Sequence, residues 1–268
     1  MNIGKRASSE RERLSVIRSD DLSSGKIFIV GTGPGVLDEM TPKARKAIEL
    51  AEVVAGYNTY IKLIEKILGG KKIIGRAMMQ EIERSQLAIE EALNGRNVAV
   101  ISGGDVGVYG MAGLVLEMIL DLPEEKRPRV ETIAGVSAVN AAAAILGAPL
   151  MHDFAIISLS DLMTPWELIK KRVRSAAESD FVIALYNPKS KRRVNQLAEV
   201  QKILLEFRDK NTPVGIVTNA GREGESKIIS TLENFIREEV NMFSLVIVGN
   251  SQTFVKEGFM LTPRGYQI

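Results

Sequence analysis

The chain has no cysteine in 268 residues, which excludes disulfides, thiolate zinc sites and a cysteine nucleophile. It has a single histidine, His152, so a multi-histidine metal centre is excluded too and no metal site is expected. Neither sign of charge dominates: 35 Lys and Arg stand against 33 Asp and Glu, a net +2. A nucleic-acid-binding face needs concentrated basic charge, and this balance does not provide one. No apolar run reaches the length of a membrane span, so no membrane partner is expected. Residues 1–24 are polar and charged where a secretory signal would be apolar. They read as a mobile leader or as a helix lying on a partner, and the cytoplasm is the expected location. What is present is 45% hydrophobic and 25% charged, the composition of a globular chain able to bury a sizeable core in one large or two modest domains.

The chain is organised around the stretch SGGDVGVYGM at 102–111. It follows NVAVI at 97–101, apolar and β-branched without alternation, which predicts a strand buried on both faces. Four glycines in ten residues suit neither a helix interior nor a strand, so a loop is expected at the carboxyl end of a parallel strand, where open α/β sheets bind ligands. Asp105 lies inside that loop, either as a ligand-binding acid or as the capping residue of a tight turn.

Around it the pattern alternates. Strands are predicted at 26–30, 52–56, 71–74 and 129–133, and helices from 41–42, over 57–68, 80–93, 111–120 and 138–146. In the helix at 80–93 the apolar residues are Ile82, Leu87, Ile89 and Leu93; the alanine-rich helix at 138–146 must pack closely. Regular βαβ units of this kind imply a mostly parallel sheet. A domain boundary is placed near 149, giving an N-terminal α/β domain at 25–149 and a C-terminal α/β domain at 150–268. The second half is mixed: strands at 154–159, 181–186, 213–218, 227–231 and 245–248, with helices after Thr164-Pro165, over 195–208 and near 232–238.

GTGPG at 31–35 invites a dinucleotide reading, but position 36 is Val, no acid closes the second strand, and Pro34 removes an amide that a phosphate cradle would use. No Gly-Lys-Ser/Thr follows to make a phosphate-binding loop. The order of motifs is more specific. GTGPG followed by MTP at 40–42, SGGDVGVYG at 102–110 and IAGVSA at 133–138 together resemble the three N-terminal motifs of the tetrapyrrole methylases. LYNPKSKRR at 185–193, TNAGREGE at 218–225, and the run from LMHDF at 150–154 through SLSDL at 158–162 to TPW at 164–166 look like the branch of that family that methylates carbon 17 of precorrin-3B. Ala134 stands where Pro often precedes the glycine of the third motif, and Asn187 where many relatives carry Met.

The resemblance implies two α/β domains, the second with a mixed sheet, and S-adenosylmethionine in the cleft between them. It places the cofactor against Pro34, Gly103, Asp105, Val108, Ser137, Ala138, Asn187 and Ala220. It implies methyl transfer to carbon 17 of a precorrin-3-type tetrapyrrole with ring contraction in cobalamin synthesis, and a homodimer. Other readings are a methylase of another precorrin carbon and a non-catalytic nucleotide-binding module.

The residue types suit that cofactor. It has no phosphate, and glycine loops expose backbone to its polar groups while one carboxylate can accept from its ammonium or its ribose. The protein's part in an in-line displacement is alignment and exclusion of water. On the substrate side, His152 could move a proton or meet a substrate carboxylate, or it could be bonded to backbone at the hinge. Lys189, Lys191, Arg192 and Arg193 could meet the acetate and propionate groups of a tetrapyrrole, or could be a solvated helix start. Arg222, beside Glu223 and Glu225, has the same two readings, and Trp166 reads as core.

Overall fold

The computed structural model describes residues 25–77 and 79–267. The leader expected at 1–24 lies outside them. The chain divides into two units. One takes the described residues up to Gly31, Pro42–Ser102 and Gly110–Ala134; the other takes Thr32–Thr41, Gly103–Tyr109 and the chain from Gly135 onward.

The first unit alternates strand and helix: β1 (Lys26–Gly31), α1 (Pro42–Leu50), β2 (Val53–Tyr57), α2 (Asn58–Leu63), β3 (Lys72–Arg76), α3 (Glu81–Leu93), β4 (Val98–Ser102), α4 (Ala112–Leu120) and β5 (Arg129–Ile133). The sheet order is β3-β2-β4-β1-β5, and every pairing is parallel. The inner strands are the apolar, β-branched runs; Ile27, Ile29, Val53, Val54, Val98 and Val100 are fully buried. Edge strands β3 and β5 carry the polar residues Lys72, Arg76, Arg129 and Glu131. Glu131 accepts from Lys26 Nζ at 2.6 Å and meets Lys43 Nζ at 2.8 Å, which ties β1, β5 and α1 together. The Lys26 bond first, and Lys43 next, hold its carboxyl well below the usual range, at about 2.

One expectation needs correction here. The helix predicted over 57–68 is α2, which stops at Leu63, followed by a short 3-10 turn at Glu65–Ile67. In α3 the buried face is Arg84, Ser85, Ala88, Ile89 and Ala92, while Ile82 and Leu93 are 60% and 40% exposed. Of its apolar residues Ile89 lies on the buried face, beside the small side chains of Ser85, Ala88 and Ala92.

The second unit contains α5 (Ala138–Leu146), β6 (Gly147–Ala148), β7 (Phe154–Ser158), α6 (Trp166–Glu178), β8 (Val182–Tyr186), α7 (Gln196–Leu205), β9 (Pro213–Thr218), β10 (Ser226–Thr231), β11 (Ser244–Val248), β12 (Phe254–Lys256) and β13 (Phe259–Leu261). The main sheet has the order β10-β9-β11-β8-β7, with β7 parallel to β8 and the other pairings antiparallel, so it is mixed. A three-stranded sheet β12-β13-β6 was not foreseen, because its strands are two or three residues long. The alanine-rich α5 packs closely as expected: Val139, Ala142 and Leu146 are buried against Val182, Ala184, Val217 and Ile247. A Cβ at Gly215 would run into the Leu146 side chain. Helix α6 starts after Pro165 without a side-chain cap, so Thr164 does not cap it. Trp166 packs on the core of this unit and donates Nε1–H to Glu199 at 2.9 Å.

Candidate functional site

Strands β4, β1 and β5 are neighbours, and the loops that follow them all belong to the second unit. There they meet one another and the ends of β7, β8 and β9. Gly33 and Gly104 exchange both backbone bonds, at 3.1 and 2.7 Å, each with a positive φ (81° and 69°) that a side chain would resist. Asp105 joins two loops. Its Oδ1 accepts from the Gly107 amide at 2.8 Å, and its Oδ2 accepts from the Gly135 amide at 2.9 Å. Each oxygen keeps a further lone pair for a ligand donor.

Ser137 occupies the N-cap of α5, but its hydroxyl does not cap the helix. It lies near Tyr186, whose hydroxyl accepts from the Val139 amide at 2.9 Å and so takes over the capping role. The Tyr186 ring lies 5.3 Å from that of Tyr109. Tyr109 Oη donates to the Ile156 carbonyl at 3.1 Å and accepts from the Ser158 amide at 3.0 Å, pinning the glycine loop to β7. Burial raises the pKa of both phenols, so both are neutral hydrogen-bonding groups at physiological pH. At the end of β8, Asn187 has φ 52° and donates Nδ2–H to Ser158 Oγ at 3.0 Å.

The loop after β1 meets the β9–β10 turn. Arg222 Nε donates to the Pro34 carbonyl at 2.7 Å, and Glu225 accepts from the Gly221 amide at 2.7 Å. A Cβ at Gly35 would overlap the Gly221 carbonyl, and one at Gly221 would overlap the Glu39 carboxylate. This contact needs glycine on both sides.

Of the expected cofactor residues, Gly103, Asp105, Val108, Ser137, Ala138 and Asn187 lie on segments that bond or touch one another. Pro34 and Ala220 lie on the two segments joined through Arg222 and Gly221. Pro34 is buried, while Val108, Ala138 and Ala220 are half-buried, an apolar complement to the carboxylate and the exposed backbone. Of the expected substrate residues, Lys191 and Arg192 stand in the turn that follows Asn187, and His152 stands before β7. His152 is exposed in the turn before β7, with Nδ1 accepting from the Asp153 amide at 2.9 Å. Lys189, Lys191 and Arg192 are exposed in the turn between β8 and α7, which Ser190 organises by accepting from the Arg192 and Arg193 amides. The sequence reading passed over Tyr109, Tyr186 and Ser158. Two of them are aromatics at the edges of motifs already singled out, which is the signal that was available.

The donor set and the fold together define a methylase. The model of the Tetrapyrrole (Corrin/Porphyrin) Methylases matches residues 26–236. The chain is 50% identical over 242 residues to the probable cobalt-factor III C(17)-methyltransferase of Salmonella typhimurium, covering 90% of this chain and 100% of that one. It is 48% identical over 245 residues to the cobalt-factor III methyltransferase of Priestia megaterium, covering 91% of this chain and 45% of that longer protein. Precorrin-3B C(17)-methyltransferase of a Sinorhizobium species is 38% identical, with coverages of 91% and 98%. Among solved structures, the methyltransferase CobJ superposes with a TM-score of 0.82 at 34% identity over 90% of this chain and 100% of that one. Uroporphyrin-III C-methyl transferase from Thermus thermophilus, complexed with S-adenosyl homocysteine, gives 0.65 at 25% over 84% and 97%. The chain belongs to the tetrapyrrole (corrin/porphyrin) methylase family.

Proposed function

We propose that the protein methylates carbon 17 of a precorrin-3-type tetrapyrrole, with contraction of the macrocycle, in cobalamin biosynthesis. The observation that carries this reading is the meeting of the loops after β1, β4 and β5 around Asp105, on a chain 48% and 50% identical to enzymes named for cobalt-factor III. Those two names favour a cobalt-bearing substrate over the metal-free one. S-adenosylmethionine would supply the methyl group as a sulfonium. Asp105 would accept from its ammonium or its ribose; Gly103 would offer backbone; Pro34, Val108, Ala138 and Ala220 would line its apolar parts; Ser137 and Asn187 would offer polar side chains. The two neutral tyrosines hold the loops in place and exclude water, which is what a displacement at carbon asks of a protein. On the substrate side, Lys191, Arg192 and His152 would meet the carboxylates. The cytoplasm suits this chemistry; among the described residues no helix is long and apolar enough to cross a membrane.

The test is calorimetry with S-adenosylmethionine, followed by turnover with cobalt-factor III and with precorrin-3B in parallel. Mass spectrometry should find a singly methylated, ring-contracted product and S-adenosylhomocysteine, with faster turnover of the cobalt substrate. Cofactor binding without turnover of either substrate would favour a non-catalytic module, and methylation at another carbon would favour a different step. The assembly is proposed to be a homodimer; a monomer mass by light scattering at micromolar concentration would refute it.

A further inference from the structure

Arg84 stands in the first turn of α3, 2% exposed, on the helix face that packs inward with Ser85, Ala88, Ile89 and Ala92. A guanidinium carries five N–H donors and stays charged. Here Nη2 reaches only the Met111 thioether, at 3.3 Å, a weak acceptor. Nε and Nη1 are buried and have no hydrogen-bond partner among the described residues. Glu81 is near enough to act on Arg84 electrostatically, but its Oε1 accepts from the Met79 amide at 3.1 Å. Arg208, another deeply buried arginine, shows the contrast: two of its nitrogens donate to the carbonyls of Gly249 and Phe181. A buried guanidinium whose donors lack acceptors is costly to fold, and proteins seldom keep one without a use.

The place of Arg84 indicates that use. Tyr60, near Arg84, lies in α2, just after β2; Arg84 opens the helix after β3; Met111 precedes the helix after β4. All three lie past the carboxyl ends of neighbouring parallel strands, the edge at which open α/β sheets take ligands. We propose that Arg84 is an anion site: a carboxylate of the substrate supplies the acceptors that its Nε and Nη1 lack among the described residues. This rests on the reading of the protein as a methylase of a polycarboxylated tetrapyrrole.

The experiment uses Arg84→Met, which keeps the bulk and removes the charge, and Arg84→Lys, which keeps the charge with fewer donors. Three quantities are measured: the melting temperature, the S-adenosylmethionine Kd, and KM for cobalt-factor III. The melting temperature is also taken in sodium malonate and in sodium chloride of equal ionic strength. The expected result for Arg84→Met is a melting temperature equal to or above wild type and a cofactor Kd within twofold. Its KM should be raised at least tenfold, with Arg84→Lys in between. An unchanged KM in Arg84→Met overturns the proposal, and so does a lowered melting temperature with KM unchanged, the mark of a purely structural arginine. If Arg84→Met does not fold, Arg84→Lys decides: KM raised at least threefold supports the site, and wild-type KM overturns it. If wild type turns over no tetrapyrrole, the functional reading fails by itself and the malonate arm decides. Stabilisation by malonate over chloride that is lost in the variant keeps the anion site, and equal response in both overturns it.

Discussion

Substitution of Asp105 separates its observed bonds to two loops from its proposed role toward the cofactor. The side chain accepts two backbone amides, from Gly107 and Gly135, across loops 30 residues apart in sequence. A hydrogen bond to a charged group contributes about 1.5–3 kcal/mol when shielded from water. Asp105 is half-exposed, so about 1 kcal/mol for each bond and about 2 kcal/mol for both is the appropriate scale. For a chain of this size that is a fall in melting temperature of about 4–8 °C in Asp105→Ala. Loss of a charge-assisted bond to the cofactor would weaken S-adenosylmethionine by about 1.5–3 kcal/mol, or about 10- to 150-fold. Asp105→Asn keeps one carbonyl oxygen and turns an amide donor toward the second N–H. It should recover about half of the stability and little of the affinity. Differential scanning calorimetry and titration calorimetry read the two effects on the same samples. A lowered melting temperature with wild-type affinity would leave Asp105 as a lock between loops and refute its role toward the cofactor; no change in either would refute the whole reasoning.

Gly35→Ala should cost about 1–3 kcal/mol and weaken cofactor binding, because the new methyl meets the Gly221 backbone, which cannot rotate aside. Gly113→Ala, exposed inside α4 with open space around it, should instead stabilise by about 0.5–1 kcal/mol; denaturant midpoints of the two variants check the opposite signs. Lys191→Ala combined with Arg192→Ala should raise KM for the tetrapyrrole and flatten its dependence on salt, with S-adenosylmethionine affinity unchanged; steady-state kinetics at two ionic strengths decide it. The folded-state pKa of Glu131 is depressed from 4.5 to about 2, so its contribution is complete above 4.5 and is lost as pH falls toward 2. The stability difference between wild type and Glu131→Gln should therefore shrink over that window, and a difference that stays constant there would contradict the Lys26–Glu131–Lys43 linkage.

Many of the elements were legible because their signals are local. The apolar run before Ser102, the Thr41-Pro42 start, the Gly69-Gly70 and Asn94-Gly95 stops and the alanine-rich 138–146 each speak of their own neighbourhood, and the strand at Arg129–Ile133 and the helix at Ala138–Leu146 fall where they were expected. The motifs at 31–35, 102–110 and 133–138 were legible for the same reason, as runs of glycine and small residues that only a loop can use. Which loops meet was not legible. That follows from the sheet order, which sets β1 between β4 and β5, and hence brings the Asp105 carboxylate to the Gly135 amide. The hydrogen-bond partners followed from the same packing. Nothing near Val139 in the chain points to Tyr186, 47 positions further on, which takes the helix amide because β8 brings its hydroxyl there. Burial was decided in the same way. In α3, Ile82 is 60% exposed while Arg84 is buried with Ser85, Ala88, Ile89 and Ala92, a choice of face made by the packing of the helix on the sheet. The sequence by itself determined most of the strands and helices and the glycine loops at 31–35 and 102–110; the tertiary structure alone decided which acceptor each amide meets and which charge is buried, because both depend on neighbours that are distant along the chain.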